Sequence, residues 1–253
     1  MLKNKKILVV GAGGLLGSNL VKALIDNQAC VVAADLSKIN LEAKLQNIGV
    51  NTKDENIILH ELDLLSKDSI SNLFSLENLI TGAVNCSYPR NSNYGKHFFD
   101  VSLEDFNENI SLNLGSSFVF MQECASYFNK QKKPFSLVNI SSVYGVIAPK
   151  FNIYDNTKMT TPIEYSAIKS GLIHMTKYVS KYIGNSDFRV NLVSPGGILD
   201  GQPNVFIEAY KKETFGKGML DVADVIGSIL FLLSPSSKYI NGQNIIVDDG
   251  FTI

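Results

Sequence analysis

The sequence predicts a single α/β domain whose core is a doubly wound parallel sheet of about seven strands, with helices on both faces. Two observations support this fold class. Short, nearly continuous apolar segments alternate along the chain with longer segments in which apolar residues recur at helical spacing. Strands that read as unbroken apolar segments are typical of parallel sheets covered on both faces. No repeat or linker interrupts the alternation, so we expect one domain over residues 1–253.

The elements follow each other in a regular order. Strands are expected at KKILVV (5–10), CVVAAD (30–35), NIILHELD (56–63), LITGAVNC (79–86), PFSLVNISS (134–142), FRVNLVSP (188–195) and NIIVD (244–248). Helices are expected at 14–27, 36–49, 66–75, 162–183 and 221–233, with one or two more between residues 102 and 130.

Composition and charge exclude several functional classes. The chain is 45% hydrophobic, which supports a sizeable core, and its net charge of −1 gives no basic excess for nucleic acid. The apolar segment in MLKNKKILVV is too short for a signal peptide and stops at glycines. No apolar segment reaches the ~18 residues of a membrane-spanning helix. We therefore expect neither nucleic acid nor a membrane as a partner.

The cysteines and histidines indicate neither a disulfide framework nor a metal site. The cysteines are odd in number and widely spaced, which favours reduced thiols and a cytoplasmic location. They are Cys30, Cys86 and Cys124. The histidines show no metal-ligand spacing with them, so no metal is expected. They are His60, His97 and His174.

A glycine-rich turn, VVGAGGLLGSNL, follows the first strand and opens a helix. Gly11, Gly14 and Gly17 permit a tight turn and a close approach of the backbone to a pyrophosphate at the helix N-terminus. The second strand ends in Asp35, whose carboxylate could accept hydrogen bonds from the adenine-side ribose and would repel a 2′-phosphate. The pattern predicts NAD as the cofactor.

Two acidic residues in this region have alternative interpretations. Asp35 could merely cap the following helix, and Lys38 is close enough to weaken the preference for NAD. Asp63, which closes the third predicted strand, could bind the adenine amino group or simply end the strand. Spacing alone does not distinguish these two roles for Asp63.

Over nearly its whole length the chain resembles the short-chain dehydrogenase/reductase family. The resemblance is carried by the glycine turn, by Asp63, and by the motifs ISLNLGSSF, NISS (139–142), YSAIK (165–169), RVNLVSPGG (189–197) and NGQNIIVDDG (241–250). Within the family it resembles bacterial flagellin-modification oxidoreductases of the protein A type, linked to nonulosonic-acid sugar biosynthesis, through NCSYPRN, SSVYGVIAPKF and SPGGILD. The resemblance implies a Rossmann fold, a nicotinamide cofactor and a catalytic tetrad of Asn113, Ser142, Tyr165 and Lys169.

The pattern Tyr-x-x-x-Lys nevertheless occurs twice, as Tyr154/Lys158 and as Tyr165/Lys169. Tyr154 follows Ser142 by 12 residues, close to the interval usual in the short branch of the family, whereas Tyr165 follows it by 23. The interval downstream favours the second copy, because Tyr165 lies 30 residues before Pro195, as the family pattern has it.

Local sequence also favours the second copy. Residues four apart meet only on a helix, and the residues Asp-Asn-Thr after Tyr154 favour turns. Pro162 prevents one helix from running through both copies but suits the first turn of a new helix, with Thr161 as its cap. Residues near 147–161 are therefore interpreted as an inserted loop. Tyr154 belongs to this loop, either lining the substrate pocket or only packing within it.

The expected chemistry is proton transfer at a carbinol oxygen. A free tyrosine has a pKa near 10, and a neighbouring Lys169 ammonium is expected to lower the pKa of Tyr165. Lys169 should also hold the nicotinamide ribose. Ser142 should stabilise charge on the substrate oxygen, and Asn113 should brace the site through backbone and water. Without the resemblance, Asn113 could be only a polar break in a long helix.

Further contacts with the cofactor are expected beside these motifs, and the backbone of Ile198 is expected to meet the nicotinamide carboxamide. The other expected contacts are Leu15, Leu16, Leu36, Leu64, Asn85, Pro195 and Gly196. A substrate loop is expected near 195–218. In substrate binding we expect Arg90, Tyr144 and Tyr154; Arg90 could anchor an anionic group or lie in a solvated surface loop.

The chain departs from the family pattern at several positions. The usual Asn-Asn-Ala-Gly is here Asn85-Cys86-Ser87-Tyr88, and Asp200 stands where threonine is frequent. A carboxylate near a pyrophosphate is unfavourable, so Asp200 should turn outward or meet a substrate amine. Asp249 replaces a glycine near the C-terminal strand, which indicates a changed subunit interface.

The leading hypothesis is an NAD-dependent oxidoreductase that interconverts a hydroxyl and a ketone on a sugar or sugar phosphate. The alternatives are a sugar epimerase or dehydratase that reuses tightly bound NAD, and a non-catalytic NAD-sensing protein. The intact set of serine, tyrosine and lysine speaks against a sensor. The apolar C-terminal segment NGQNIIVDDGFTI predicts a homodimer or homotetramer, with a twofold contact near residues 244–253.

Overall fold

The structure, a computed structural model that describes residues 2–253, is built on a seven-stranded parallel sheet. Its strands are β1 (Lys6–Val10), β2 (Cys30–Asp35), β3 (Ile57–Glu61), β4 (Gly82–Asn85), β5 (Phe135–Ile140), β6 (Phe188–Pro195) and β7 (Asn244–Val247). Their spatial order is β3-β2-β1-β4-β5-β6-β7. The order reverses between β1 and β4, which is where ligands bind in such sheets. The predicted doubly wound fold is confirmed.

Eight α-helices cover the sheet. They are α1 (Leu15–Asp26), α2 (Lys38–Asn47), α3 (Lys67–Leu76), α4 (Leu103–Asn109), α5 (Ser116–Gln131), α6 (Ile163–Ile183), α7 (Asn204–Lys211) and α8 (Val222–Leu233). A π-helical segment, Ile110–Gly115, joins α4 to α5, so residues 103–131 form one continuous helical run. Helix α7 lies inside the stretch for which the sequence predicted only a loop.

Alternate residues of β1 point to opposite faces of the sheet, and both faces are buried. Ile7 and Val9 pack with α1, α2 and α8, whereas Leu8 and Val10 pack with α3, α5 and α6. Each fully buried aliphatic side chain contributes roughly 1.5–3 kcal/mol relative to exposure. Burial on both faces explains why the strands read as unbroken apolar segments.

A third, smaller cluster closes the carboxyl end of the sheet. Tyr144, Phe206, Tyr210 and Phe251 are all buried there, and the rings of Tyr210 and Phe251 stack with their centroids 4.4 Å apart. The cluster joins the 147–161 insertion, α7 and the segment after β7. The 195–218 region is therefore packed against the rest of the chain.

The start of α6 separates the two Tyr-x-x-x-Lys copies. Pro162 is itself the N-cap, with an extended backbone, so the prediction that Thr161 would be the cap is wrong. Tyr154 ends a short 3₁₀ turn, Phe151–Tyr154, within the inserted loop. Only the second copy therefore lies on an α-helix, where a tyrosine and a lysine four residues apart share a face.

Within residues 2–253, no helix is both long and apolar enough to cross a membrane. The same part of the chain contains no group of three or more histidine, cysteine, aspartate or glutamate side chains that could hold a metal ion. All three cysteines are free thiols.

Candidate active site

The turn between β1 and α1 depends on glycines for close contacts. Gly11 has a φ of +71°, and a Cβ there would lie 2.6 Å from the backbone nitrogen of Ser87 on the loop after β4. At Gly17 a Cβ would lie 2.1 Å from the carbonyl oxygen of Gly11. Gly14 is the N-cap of α1 and caps it with no side chain, so the N–H groups of the first turn are available to an anionic ligand.

Asp35 is fixed at the end of β2. Its carboxylate accepts hydrogen bonds from the backbone N–H of Gly13 (2.7 Å) and of Leu36 (2.8 Å). The N-cap of α2 is Ser37, which accepts from Asn40. The alternative that Asp35 merely caps this helix is therefore wrong.

A cavity of about 640 Å³, here called the glycine-turn cavity, lies between these elements. Its lining includes several of the expected cofactor contacts: Gly11, Gly14, Leu15, Asp35, Leu36, Asp63 and Leu64. Asp63 lies two residues beyond β3, where its carboxylate accepts from the N–H of Leu65 (2.8 Å). The glycine cradle, the free helix N-terminus and the fixed Asp35 carboxylate fit the phosphates and ribose of a dinucleotide.

A second cavity of about 580 Å³, here called the tyrosine cavity, adjoins the first. Its lining includes Leu16, Ser142, Tyr144, Tyr154, Tyr165, Lys169, Pro195, Gly196 and Ile198. Six residues line both cavities: Leu15, Cys86, Ser87, Tyr88, Arg90 and Asp200. A ligand could therefore extend from the glycine turn to the tyrosines.

Tyr165 and Lys169 meet in the tyrosine cavity. The Lys169 ammonium lies 5.7 Å from the centroid of the Tyr165 ring and donates to the carbonyl oxygen of Ile140 (2.9 Å). Lys169 is 5% exposed, and burial lowers the pKa of its ammonium to about 8, although the neighbouring Cys86 thiol opposes the shift. The amine is therefore close to its titration point at neutral pH.

The pKa of Tyr165 does not shift in the expected direction. Burial raises the pKa of this phenol, and its hydrogen bond with Ser142 only partly opposes the rise. The prediction that Lys169 lowers the pKa of Tyr165 is wrong for this arrangement, because the buried ammonium points to the Ile140 carbonyl. Ser142 also accepts a hydrogen bond from the N–H of Tyr144 (3.2 Å).

Tyr154 also lines the tyrosine cavity, but different contacts hold it there. Its hydroxyl donates to the Tyr144 hydroxyl (3.1 Å) and shares a hydrogen bond with Thr161, and its ring packs on Phe206 with centroids 5.1 Å apart. Lys158 does not line the cavity. Tyr154 is therefore a wall residue with a hydroxyl network, without the lysine partner that its sequence pattern suggested.

Three of the expected site residues lie behind the cavities. Asn85 was expected to contact the cofactor; its side-chain oxygen accepts from the hydroxyl (2.6 Å) and N–H (3.1 Å) of Ser87, which fixes the loop after β4. Gly17 allows the first turn of α1 to pack closely against the backbone of Gly11 and Ala12. Asn113 lies in the π-helical segment, 3% exposed, with its amide nitrogen unpartnered within the described chain. π-Helical turns are frequent at functional sites.

Sequence reasoning missed other residues of the site. Gly13 belongs to the glycine turn, and its N–H binds Asp35. Tyr210 on α7 accepts a hydrogen bond from the N–H of Gly197 (2.7 Å), in the turn after β6. A second glycine beside Gly14 was a usable signal for Gly13. Tyr210 offered none, because only the fold brings α7 to that turn.

Two departures from the family pattern have defined positions. Asp200 is exposed at the junction of the two cavities. Asp249 accepts the backbone N–H groups of Gly216 (3.0 Å), Lys217 (2.6 Å) and Gly218 (3.2 Å), and these bonds lower the pKa of its carboxyl. The Asp249 carboxylate therefore binds a turn of its own chain, whereas the sequence had suggested a role at a subunit interface.

A dinucleotide-type glycine turn beside a serine, a tyrosine and a lysine on one doubly wound sheet defines an oxidoreductase of the Rossmann type. A family model described as Enoyl-(Acyl carrier protein) reductase matches residues 11–252. The post-translational flagellin modification protein A of Campylobacter coli is 40% identical over 256 residues, covering 99% of each chain. The chain belongs to the short-chain dehydrogenase/reductase family, as its motifs predicted.

Solved structures agree with this assignment. A short-chain dehydrogenase from Leptospira borgpetersenii with bound NAD⁺ has a TM-score of 0.87 and 31% identity, covering 100% of this chain and 94% of that one. A 4-hydroxyisoleucine dehydrogenase complexed with NADH has a TM-score of 0.80 and 25% identity, over 98% of this chain and 99% of that one.

Proposed function

We propose that this protein is an NAD-dependent oxidoreductase that interconverts a hydroxyl and a ketone on a sugar or sugar phosphate. The observation that carries the proposal is the meeting of Ser142, Tyr165 and Lys169 in a cavity that adjoins the glycine turn. The NAD⁺ and NADH bound to two similar solved proteins, together with Asp35 at the end of β2, support NAD as the cofactor.

Each residue of this group has a distinct role in the proposal. A bound nicotinamide cofactor would supply the hydride acceptor or donor for the substrate carbon. The Ser142 hydroxyl donates a hydrogen bond to the substrate oxygen, and the Tyr165 phenol moves the proton at that oxygen. Lys169 holds the cofactor ribose, and Asn113 braces the site from the π-helical segment.

The sugar substrate is proposed from the cavity wall and from a relative. Residues with hydroxyl or amide side chains line the tyrosine cavity: Tyr94, Tyr144, Tyr154, Thr160, Thr161 and Gln202. Such groups suit a polyhydroxylated ligand, and tyrosine rings can stack on sugar faces. The 40% identical relative is named for flagellin modification. We place the reaction in bacterial surface-glycan sugar biosynthesis, in the cytoplasm.

The substrate class can be tested by following NADH formation over a panel of phosphorylated and nucleotide-linked hexoses. Steroids and acyl thioesters should be included as comparison substrates. NADH should accumulate with at least one sugar, in proportion to product. A redox-neutral conversion, with no net NADH, would instead support an epimerase or a dehydratase.

The assignment of the catalytic tyrosine gives a matched pair of variants. Tyr165→Phe should lower turnover by about 10²-fold or more, the usual size of acid–base catalysis. Tyr154→Phe should leave turnover largely intact and at most raise KM, because Tyr154 contacts Tyr144 and Thr161 rather than Lys169. An inactive Tyr154→Phe beside an active Tyr165→Phe would reverse the assignment.

A further inference from the structure

The charges around the glycine-turn cavity are unbalanced. Its lining within the described chain contains the carboxylates of Asp35, Asp63 and Asp200, but Arg90 is the one cationic side chain among them. A dinucleotide diphosphate brings two further negative charges to such a cavity. The N–H groups of the α1 terminus offset part of this charge, and Arg90 is the side chain that could offset more.

The Arg90 guanidinium lies beside two tyrosine rings. Its guanidinium carbon lies 5.4 Å from the Tyr88 ring centroid and 6.0 Å from the Tyr94 ring centroid. Tyr88 and Tyr94 are themselves perpendicular, with centroids 5.7 Å apart and their hydroxyls hydrogen-bonded. In residues 2–253 no carboxylate forms an ion pair with Arg90. With no carboxylate partner in this part of the chain, the guanidinium N–H groups can donate to an anion.

The loop that carries Arg90 is fixed to α4. The backbone N–H of Asn91 donates to the side-chain oxygen of Asn109 (3.0 Å), and its amide nitrogen donates to Glu108 (2.7 Å). Farther along the loop, the Lys96 ammonium pairs with Asp105 (2.8 Å). Arg90 is therefore presented to the junction of the two cavities from a braced backbone, which reduces the entropy lost on binding.

From this geometry we infer that Arg90 binds the diphosphate of the dinucleotide cofactor, together with the α1 N-terminus. The inference rests on the proposed function, because it requires a dinucleotide in the glycine-turn cavity. It explains how Asp200 is tolerated at the junction, since the guanidinium offsets the repulsion between that carboxylate and the diphosphate. The first expectation from the sequence, that Arg90 anchors a substrate anion, is the competing outcome.

The test compares cofactor fragments by isothermal titration calorimetry. The ligands are NAD, ADP-ribose and adenosine, and the proteins are the wild type, Arg90→Ala and Arg90→Lys. Arg90→Ala should weaken NAD and ADP-ribose by about 10- to 100-fold, the range for a charged hydrogen-bonded contact, and leave adenosine unchanged. Arg90→Lys should restore part of the loss, because it keeps the charge but not the planar fork.

Lys133→Ala serves as the matched control. Lys133 is an exposed cation just before the start of β5, at the amino end of the parallel sheet and away from the cavities, so its loss should not change NAD binding. Unchanged NAD and ADP-ribose affinity in Arg90→Ala would overturn the inference. So would an Arg90→Ala variant in which only the KM of an anionic substrate rises. A wild type that fails to bind NAD would refute the proposed function itself.

Discussion

Burial sets the ionisation of the two central residues of the site. The pKa of Lys169 is lowered to about 8, and the pKa of Tyr165 is raised, in both cases chiefly because the charged form is poorly solvated. A lysine that is costly to bury is retained where its ammonium is needed. If Lys169 has the role that we propose, function and stability oppose each other at this residue.

The cost of burying the Lys169 ammonium can be measured with the variant Lys169→Met. Below about pH 8 the folded chain bears the full cost of the buried ammonium, and stability rises with pH from about 8 to 10.5, where only the unfolded chain is still protonated. At neutral pH the variant should gain roughly 1–3 kcal/mol in the free energy of unfolding while losing activity. The gain should shrink as pH rises through that window.

Chemical denaturation across a pH series measures this effect. Lys181→Met, at an exposed position on the same helix, is the control and should show no comparable dependence on pH. A Lys169→Met variant that is less stable than the wild type at neutral pH would contradict the prediction.

Asp35 provides a second prediction at the residue scale. Hydrogen bonds from Gly13 and Leu36 hold its carboxylate at the cavity wall, so a 2′-phosphate cannot displace it easily. NAD should bind about 10²-fold more tightly than NADP, since like charges at short range cost a few kcal/mol. Titration calorimetry of both cofactors, with Asp35→Asn as the comparison, measures the difference. Equal affinities in the wild type would mean that Lys38 compensates for the carboxylate.

At the element scale, the turn Gly216–Gly218 depends on Asp249. One carboxylate oxygen accepts all three backbone N–H groups of the turn, from a residue whose own φ is +52°. Asp249→Gly tolerates that φ but removes the acceptor, so the amides of residues 216–218 should exchange with solvent faster. Asp249→Asn keeps an oxygen acceptor and should retain most of the protection.

Hydrogen exchange followed by mass spectrometry checks this prediction. The protection of β5 and β6, which are interior strands of the sheet, should be unchanged in both variants. Equal exchange at 216–218 in the wild type and Asp249→Gly would mean that the α7 packing, and not Asp249, holds the turn.

The elements themselves were predictable to different degrees. All seven strands lie where apolar segments predicted them, because strands buried on both faces leave an unambiguous pattern. Helix α7 was missed because its start is surrounded by glycines and prolines, and its partners Phe251 and Tyr144 are distant in sequence. The π-helical segment at 110–115 was also not predictable, since no residue pattern marks it.

The parts of the candidate site that lie within a sequence motif were predictable. The glycine turn, Asp35 and the YSAIK segment could be placed from the sequence, and Pro162 correctly separated the two tyrosine copies. Whether a side chain is buried, and which carbonyl it meets, depends on the folded surroundings. The raised pKa of Tyr165 and the contact between Asn85 and Ser87 could therefore not be predicted from the sequence.

At the scale of the whole molecule, β7 is one of the two edge strands of the sheet, the other being β3. Ile246 is 39% exposed and Ile253 is 87% exposed, whereas Phe251 is buried within its own chain. An edge strand beside exposed aliphatic side chains is a surface that proteins commonly cover. The predicted twofold contact near 244–253 should therefore involve Ile246 and Ile253 and not Phe251.

Light scattering at micromolar concentration measures the assembly. We expect the mass of a homotetramer, or of a homodimer if only one twofold contact forms. Ile246→Glu should lower that mass if β7 forms the contact. A monomeric mass for the wild type would rule out the predicted assembly.

The lowered pKa of Lys169 also makes this residue a target for covalent labelling. An amine with a pKa of about 8 is neutral in roughly a tenth of the molecules at neutral pH, whereas an ordinary lysine is neutral in fewer than about one in a thousand. Acylating reagents react only with the neutral form. A small activated ester that enters the tyrosine cavity should modify Lys169 well before exposed lysines. A compound that occupies the cavity should protect Lys169 from this modification, whether or not the compound is turned over.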